Sequence, residues 1–127
     1  MMITRRRLLS GSLAAVLATP ATAALAHHGW SWTSGEHIEV TGVVKEARLG
    51  NPHGVLILDV AGEDWTAEIG QLWRNQRAGL TDDKLAPGVE LTILGEPASD
   101  PEEHRIKAIR VTIDGTHHDL YPERIGA

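Results

Sequence analysis

Alternating apolar and polar residues dominate the middle of the chain and predict a series of short β-strands. Residues 38–46 alternate with a period of two, and Gly42 within this run indicates a bend or a bulge. Residues 55–60 form a nearly continuous apolar run, which we interpret as a central strand buried on both faces. Residues 65–69 alternate again, so the three runs predict a meander.

The period changes after the third predicted strand. Residues 71–78 contain no β-branched residue and end before Gly79, which predicts a short helix with a glycine at its carboxyl end. Residues 81–85 have the pattern of a further capped turn. A helical segment therefore separates two groups of strands.

Two further strands are predicted at residues 89–93 and 105–113, and in the second of them Ile109, Val111 and Ile113 are expected on one face. Asp114-Gly115 then predicts a hairpin into a short edge strand at residues 116–121. We also interpret Trp65 and Trp73 as core residues.

Three strands, a helix and two strands is the order of an OB-fold. The sequence thus predicts a mainly β protein, a small OB-like barrel of five to six strands with one short helix between strands three and four. Gly42 and Gly95 could provide the bends that closure of a barrel requires. An open meander packed on the helix is the alternative.

Residues 1–26 have the order of a signal peptide. An arginine-rich head that contains Arg5-Arg6 precedes an apolar run, and Ala24-Leu25-Ala26 matches a signal-peptidase site. The twin arginines followed by leucines favour the twin-arginine route over the general secretory route. The apolar run is too short and too rich in alanine to predict a stable membrane span. We therefore expect export to the periplasm and a single domain over residues 27–127.

Composition excludes several functions. Loss of the leader removes three arginines and no acidic residue, so the formal charge falls from −5 to −8, which argues against nucleic acid as a partner. The chain has no cysteine, and its two methionines lie in the leader, which excludes thiolate chemistry and a cuprous sulfur site. No catalytic motif is evident, and we lean against an enzyme.

Three histidines form a candidate metal site. Cleavage after Ala26 would make His27 the first residue, so its amine and ring, the ring of His28 and the ring of His53 in the next turn could chelate one ion. Copper(II) is the expected ion, and zinc or nickel are less favoured. Cleavage after Ala23 would remove the amine from this set, and a solvated, metal-free amino terminus is the alternative.

The remaining histidines are interpreted without a metal ion. His117 and His118 point to opposite faces of a strand, so they cannot share one ion, and we expect both to be solvated. His104 is expected in a mobile acidic loop, and His37 on the surface.

A series of motifs is spread over nearly the whole chain: the twin-arginine leader, Ala26-His27-His28, residues 39–44, Asn51-Pro52-His53, residues 77–81 and residues 97–100. In this order the motifs resemble the exported bacterial proteins of the domain of unknown function 6152. The resemblance implies that His27, His28 and the Asn51-Pro52-His53 turn belong to the family pattern, and it implies no activity.

The functional hypothesis is an exported OB-like domain that binds copper(II) through His27, His28 and His53. The alternative is a metal-free interaction module that binds an envelope protein or a small ligand.

Overall fold

The computed structural model describes residues 29–126. The predicted leader, its cleavage site, His27 and His28 lie outside the described residues. Residues 29–32 form a turn that belongs to an amino-terminal unit, and a second unit begins at Thr33. In the described part of the chain, no helix has the length and apolar character needed to cross a membrane.

Six strands and one α-helix make up the second unit. Two single turns of 3-10 helix complete it, one after the α-helix and one near the carboxyl end. In chain order the elements are β1 (Ile38–Arg48), β2 (Val55–Val60), β3 (Glu63–Glu68), α1 (Leu72–Arg77), a 3-10 turn (Asp82–Leu85), β4 (Glu90–Pro97), β5 (Arg105–Ile113), β6 (Thr116–Asp119) and a 3-10 turn (Pro122–Arg124).

The first five strands close into a barrel. The long strand β1 pairs antiparallel with β4 through residues 38–43 and with β2 through residues 43–48. β2 pairs with β3, and β4 pairs with β5, both antiparallel. A short parallel pairing of β3 with β5 completes the circle, and β6 adds an extra strand beside the second half of β5. This is the OB-fold order, so the predicted fold class is confirmed.

Glycines and bulges bend the two longest strands. Lys45 is an extra residue in β1 opposite β2, and Ile109 is an extra residue in β5 opposite β4. Gly42 lies so close to β2 that a Cβ there would stand 2.7 Å from the Asp59 carbonyl oxygen. A Cβ on Gly95 would overlap the carbonyl of Lys107. The predicted role of both glycines in bending the strands agrees with these close approaches.

The core fills the single interior of the barrel. Its centre consists of buried aliphatic side chains from every barrel strand and from Ile69, which follows β3; the strand residues include Val44, Leu56, Leu58, Ala67, Ile93, Ile106 and Val111. The interpretation of β2 as buried on both faces is wrong, because only Leu56 and Leu58 are fully buried while Val55 and Ile57 are partly exposed. A closed barrel has one inner face, so alternate residues of each strand face outward.

Two further expectations about the core need correction. Trp65 packs against the core as predicted, but Trp73 lies on the outer side of α1 with 51% of its surface exposed. In β5 the bulge at Ile109 changes the phase, so Ile106 and Ala108 join Val111 in the core and Ile109 is buried outside the main cluster. Strict alternation could not predict this change, because a bulge inserts one residue into the period.

Candidate functional site

The loop between β1 and β2 holds His53 beside the end of β3. Gly54 donates to the Gly70 carbonyl at 3.0 Å, and its own carbonyl accepts from the Ile69 amide at 2.9 Å. A Cβ on Gly54 would stand 2.7 Å from the side chain of Ile69, so only glycine allows the loop to lie this close. These contacts fix the position of His53, whose side chain is 31% exposed.

A buried carboxylate is the centre of the charged cluster next to His53. Lys107 donates to Oε1 of Glu68 at 2.7 Å, and Arg105 donates to Oε2 at 2.9 Å. Nε2 of His53 lies 3.4 Å from Oε1 of Glu68. Glu68 and Lys107 are only 4% and 5% exposed. We call Glu68, Lys107, Arg105 and His53 the Glu68 cluster.

The barrel closure assembles the Glu68 cluster. Glu68 and Lys107 are direct partners in the parallel pairing of β3 with β5, and Arg105 lies two residues earlier in β5. Sequence analysis missed these three residues, because alternation alone places Glu68 on the outer face of β3. Only the OB-fold order indicates that these residues lie near one another. That order places β3 beside β5, and the glutamate of one strand then faces a lysine of the other.

The carboxyl-terminal segment covers this cluster. The backbone amides of Leu120 and Tyr121 both donate to the carbonyl of Ile109, at 2.9 and 3.1 Å, so the β5 bulge anchors the segment. The Tyr121 ring then lies 6.0 Å from Nζ of Lys107 and 4.2 Å from the guanidinium carbon of Arg74. Burial raises the pKa of the Tyr121 phenol, and the charge of Arg74 opposes this effect.

The pKa of Glu68 is lowered despite its burial. Burial by itself favours the neutral acid, but the hydrogen bond and charge of Lys107, the charge of His53 and the hydrogen bond of Arg105 outweigh that effect. The folded-state pKa therefore lies below the ordinary value of 4.5. Glu68 stays ionised at neutral pH and stabilises the fold as a carboxylate.

The lowered pKa of Glu68 predicts a pH dependence of stability. The stabilisation is complete above the unfolded-state pKa and is lost as the pH falls through the folded-state pKa. We expect the free energy of unfolding to fall as the pH drops below the unfolded-state value of 4.5, and Glu68→Gln to flatten this slope. Urea unfolding at a series of pH values measures it, with the exposed Glu63→Gln as the control. An unchanged slope in Glu68→Gln would contradict the assignment.

The other described histidines have separate partners. His37 lies 3.8 Å from Glu96, and Nδ1 of His117 lies 2.9 Å from the Thr112 hydroxyl. The expectation that His118 is solvated is wrong: it is 4% exposed, and its Nδ1 lies 2.9 Å from the Ala78 carbonyl at the end of α1. Pairing of β6 with β5 turns one face of β6 toward the helix, which the sequence pattern did not reveal.

His104 has an aromatic neighbour that the sequence did not predict. Its ring stacks on Trp65 with 4.9 Å between centroids and 2° between planes. Within residues 29–126, no three histidine, cysteine, aspartate or glutamate side chains come together in a way that could hold a metal ion. Of the predicted ligands only His53 is described, and its nearest carboxylate is Glu68.

The strand order and the loop positions define a small OB-fold domain whose β1–β2 loop carries a histidine next to a buried ion-pair cluster. The chain belongs to the family of unknown function DUF6152, whose model matches residues 14–107. The predicted family resemblance is therefore confirmed. No curated protein has significant sequence similarity to the chain.

Two solved structures are among those to which the chain is similar. A chain of the S. pombe Stn1-Ten1 complex is 15% identical, with a TM-score of 0.49 over 61% of this chain and 57% of that one. A ZRD-deleted mutant of TiaS in complex with agmatine is 11% identical, with a TM-score of 0.49 over 67% of this chain and 26% of that one. The chain thus spans little more than half of the first structure and about a quarter of the second.

Proposed function

We propose that this protein is exported to the periplasm and binds one divalent transition metal ion, copper(II) in preference to zinc or nickel. The ligands are the amine and ring of His27 and the rings of His28 and His53. The order of charged head, apolar run and Ala24-Leu25-Ala26 supports export, and cleavage after Ala26 creates the amine ligand. Metal then enters the site outside the cytoplasm.

The orientation of His53 is the observation that carries the metal proposal. Its Nε2 faces the Glu68 carboxylate at 3.4 Å, which is the arrangement in which a carboxylate orients a metal-binding histidine through its other nitrogen. Nδ1 has only a long contact, 3.4 Å, with the Gly54 carbonyl. A metal ion at Nδ1 would replace that contact while Glu68 keeps the ring in place.

The chemistry of the amino terminus favours copper. An α-amino group has a pKa of about 7.7 to 8, so a metal ion displaces its proton at neutral pH. Amine and imidazole nitrogens suit copper(II), which stands highest in the affinity order of the divalent first-row ions. A second ring from His28 and a third from His53 would complete a set of nitrogen ligands.

A second candidate is the metal-free interaction module, and the charge around His53 favours it. Glu68 carries one negative charge, whereas its partners Arg105 and Lys107 carry two positive ones. The excess positive charge lowers the affinity of His53 for a cation. In this case the barrel surface would bind an envelope protein or a small ligand, and His53 would serve as a loop residue.

The two candidates differ in the effect of removing His53. If His53 is a ligand, His53→Ala should lower copper(II) affinity by at least about 10- to 100-fold. Losing a residue that only orients a metal ligand already has an effect of this size. Calorimetric titration of the natively exported protein measures this change. Mass spectrometry of the same sample identifies its first residue.

The matched control is His117→Ala, which removes an exposed histidine from β6 and should leave copper affinity unchanged. An amino terminus at His27 with one tight copper equivalent that His53→Ala weakens would support the metal site. Equal affinities in the wild-type protein and His53→Ala would overturn the role of His53. A different amino terminus would overturn the amine ligand and leave the interaction module as the better account.

A further inference from the structure

One end of the barrel holds a pocket of about 360 Å³ that the metal proposal does not use. Its position follows from the strand register, since Ile38 at the start of β1 pairs with Gly95 near the end of β4. The loop of residues 98–104 between β4 and β5 closes this end. Barrel mouths are common sites for small ligands, and the volume falls within the usual range of about 300 to 1,000 Å³.

The floor of the pocket is apolar and aromatic. Ile38 and Trp65 both pack against the core and line the pocket together with Ala98. His104 stacks on the Trp65 ring and lies 3.6 Å from Glu63, so the indole is fixed in place by a neighbour that does not line the pocket. The part of Trp65 that lines the pocket therefore belongs to an aromatic ring that is already held in place.

Three carboxylates surround this floor. Glu36, Asp100 and Glu103 are exposed and line the pocket, and no lysine or arginine lines it. Among residues 29–126 none of the three forms an ion pair, and Asp100 uses one oxygen to accept from the Glu102 amide at 3.0 Å. The negative charge at the rim is therefore available to a ligand.

Backbone and hydroxyl contacts hold the rim without a ligand. The Ser34 amide donates to the Pro97 carbonyl at 2.9 Å, and the Ser99 hydroxyl donates to the Thr33 carbonyl at 2.9 Å. The Glu103 amide donates to the Asp100 carbonyl at 3.1 Å. A preformed pocket loses little free energy to ordering when a ligand binds.

We propose that this pocket binds a small organic cation that carries alkylammonium groups. The aromatic floor attracts such a cation through its negative π face, and its methylene groups cover Ile38 and Trp65. The three carboxylates match the positive charges of a polyamine and repel phosphate groups. A bare metal ion fits less well, because no three acidic or histidine side chains in the described part of the chain are grouped so that they could hold one.

Spermidine is the probe, because it combines three amino groups with a flexible hydrocarbon chain. The experiment uses the exported protein treated with EDTA, so that any bound transition metal is removed and the result is independent of the histidine site. The Trp65 indole N–H resonance, assigned by comparison with Trp65→Phe, is followed by NMR during titration. We expect a saturable shift of this resonance and none with 1,8-octanediol, a neutral chain of similar length.

Charge variants test the proposal without disturbing the core. Glu36→Gln/Glu103→Gln should weaken spermidine binding about fivefold, as expected for two partly screened charge pairs. Glu46→Gln/Glu90→Gln changes the net charge by the same amount elsewhere and should change the affinity less than about twofold. Both double variants replace exposed side chains, so both should fold.

Three results would overturn the proposal. The first is the absence of a saturable shift at Trp65. The second is an equal weakening in the two double variants, which would mean general attraction to an acidic protein. The third is a shift of the Trp65 resonance that is larger with the neutral sugar maltotriose than with spermidine and that persists in Glu36→Gln/Glu103→Gln. This result would assign the pocket to a polyol.

Discussion

Replacing Lys107 with methionine should lower the free energy of unfolding by about 3 kcal/mol, because removing one partner of a buried ion pair leaves the other charge poorly compensated. Glu68 would keep Arg105, which contacts only its Oε2, and would lose its 2.7 Å bond to Nζ. Methionine preserves the apolar stem, so the change reports mainly on the charge. Urea unfolding followed by tryptophan fluorescence measures the effect.

Lys45→Met is the matched control for this prediction. Lys45 also forms an ion pair at 2.8 Å, with Asp64, but the two side chains are 51% and 63% exposed. Solvent screens that pair, so Lys45→Met should leave the unfolding curve nearly unchanged. The double variant Glu68→Gln/Lys107→Met should recover part of the loss, because it removes both buried charges. Equal effects of Lys107→Met and Lys45→Met would show that burial of the Glu68 cluster adds nothing to stability.

Gly95→Ala should lower the free energy of unfolding by about 2 to 3 kcal/mol, the cost of forcing an extra carbon into a packed interior. The new Cβ would overlap the Lys107 carbonyl and stand 2.9 Å from Cγ1 of Ile106. Both groups belong to β5, whose backbone is held by β3 and β4, so the strand cannot move away without breaking pairs. The same unfolding measurement checks this prediction.

Gly88→Ala separates crowding from backbone conformation. Gly88 has a φ of 94°, and a Cβ there would meet nothing within 4 Å. Alanine at this turn should cost about 1 kcal/mol through its unfavourable φ alone. If Gly95→Ala is no more destabilising than Gly88→Ala, the close approach of β4 and β5 at Gly95 is not a constraint on the fold.

The two binding proposals depend on different residues and can fail separately. The proposed copper site uses His53 and the amino terminus expected after cleavage, whereas the proposed alkylammonium site uses Trp65 and the acidic rim. The titrations are therefore informative in every combination. Copper binding without spermidine binding would support the metal site and contradict the proposed ligand pocket at the barrel mouth. Spermidine binding without copper binding would support the alternative of a metal-free module for a small ligand.

Much of the fold could be predicted from local pattern. Period-two runs located four of the barrel strands, a continuous apolar run located β2, and the break in period located α1 between β3 and β4. Gly42 and Gly95 marked the bends because no other residue permits such close approach of neighbouring strands. The order of these elements then restricted the topology to a barrel or an open meander, and the pairing of β3 with β5 shows the barrel.

Burial of individual side chains was harder to predict, because alternation separates two faces but does not say what covers each face. His118 looked like half of an exposed pair, yet the end of α1 covers it. Trp73 was predicted to be a core residue because its side chain is large and apolar, yet it lies on the exposed side of its helix. The bulge at Ile109 changed which residues of β5 point into the barrel, and the strand contains no glycine or proline that would indicate a bulge.

The candidate site also combines features that local sequence predicts with contacts that only the tertiary structure creates. Local sequence alone predicted the leader, a ligand role for the paired histidines and the turn that carries His53, since each is a short motif whose chemistry needs no distant partner. Only the tertiary structure brought Glu68 to Lys107, which is 39 residues away in the chain, and placed Trp65 under the acidic rim. The physical reason is that a buried charge is tolerated only beside its partner, and that partner is chosen by the closure of the barrel.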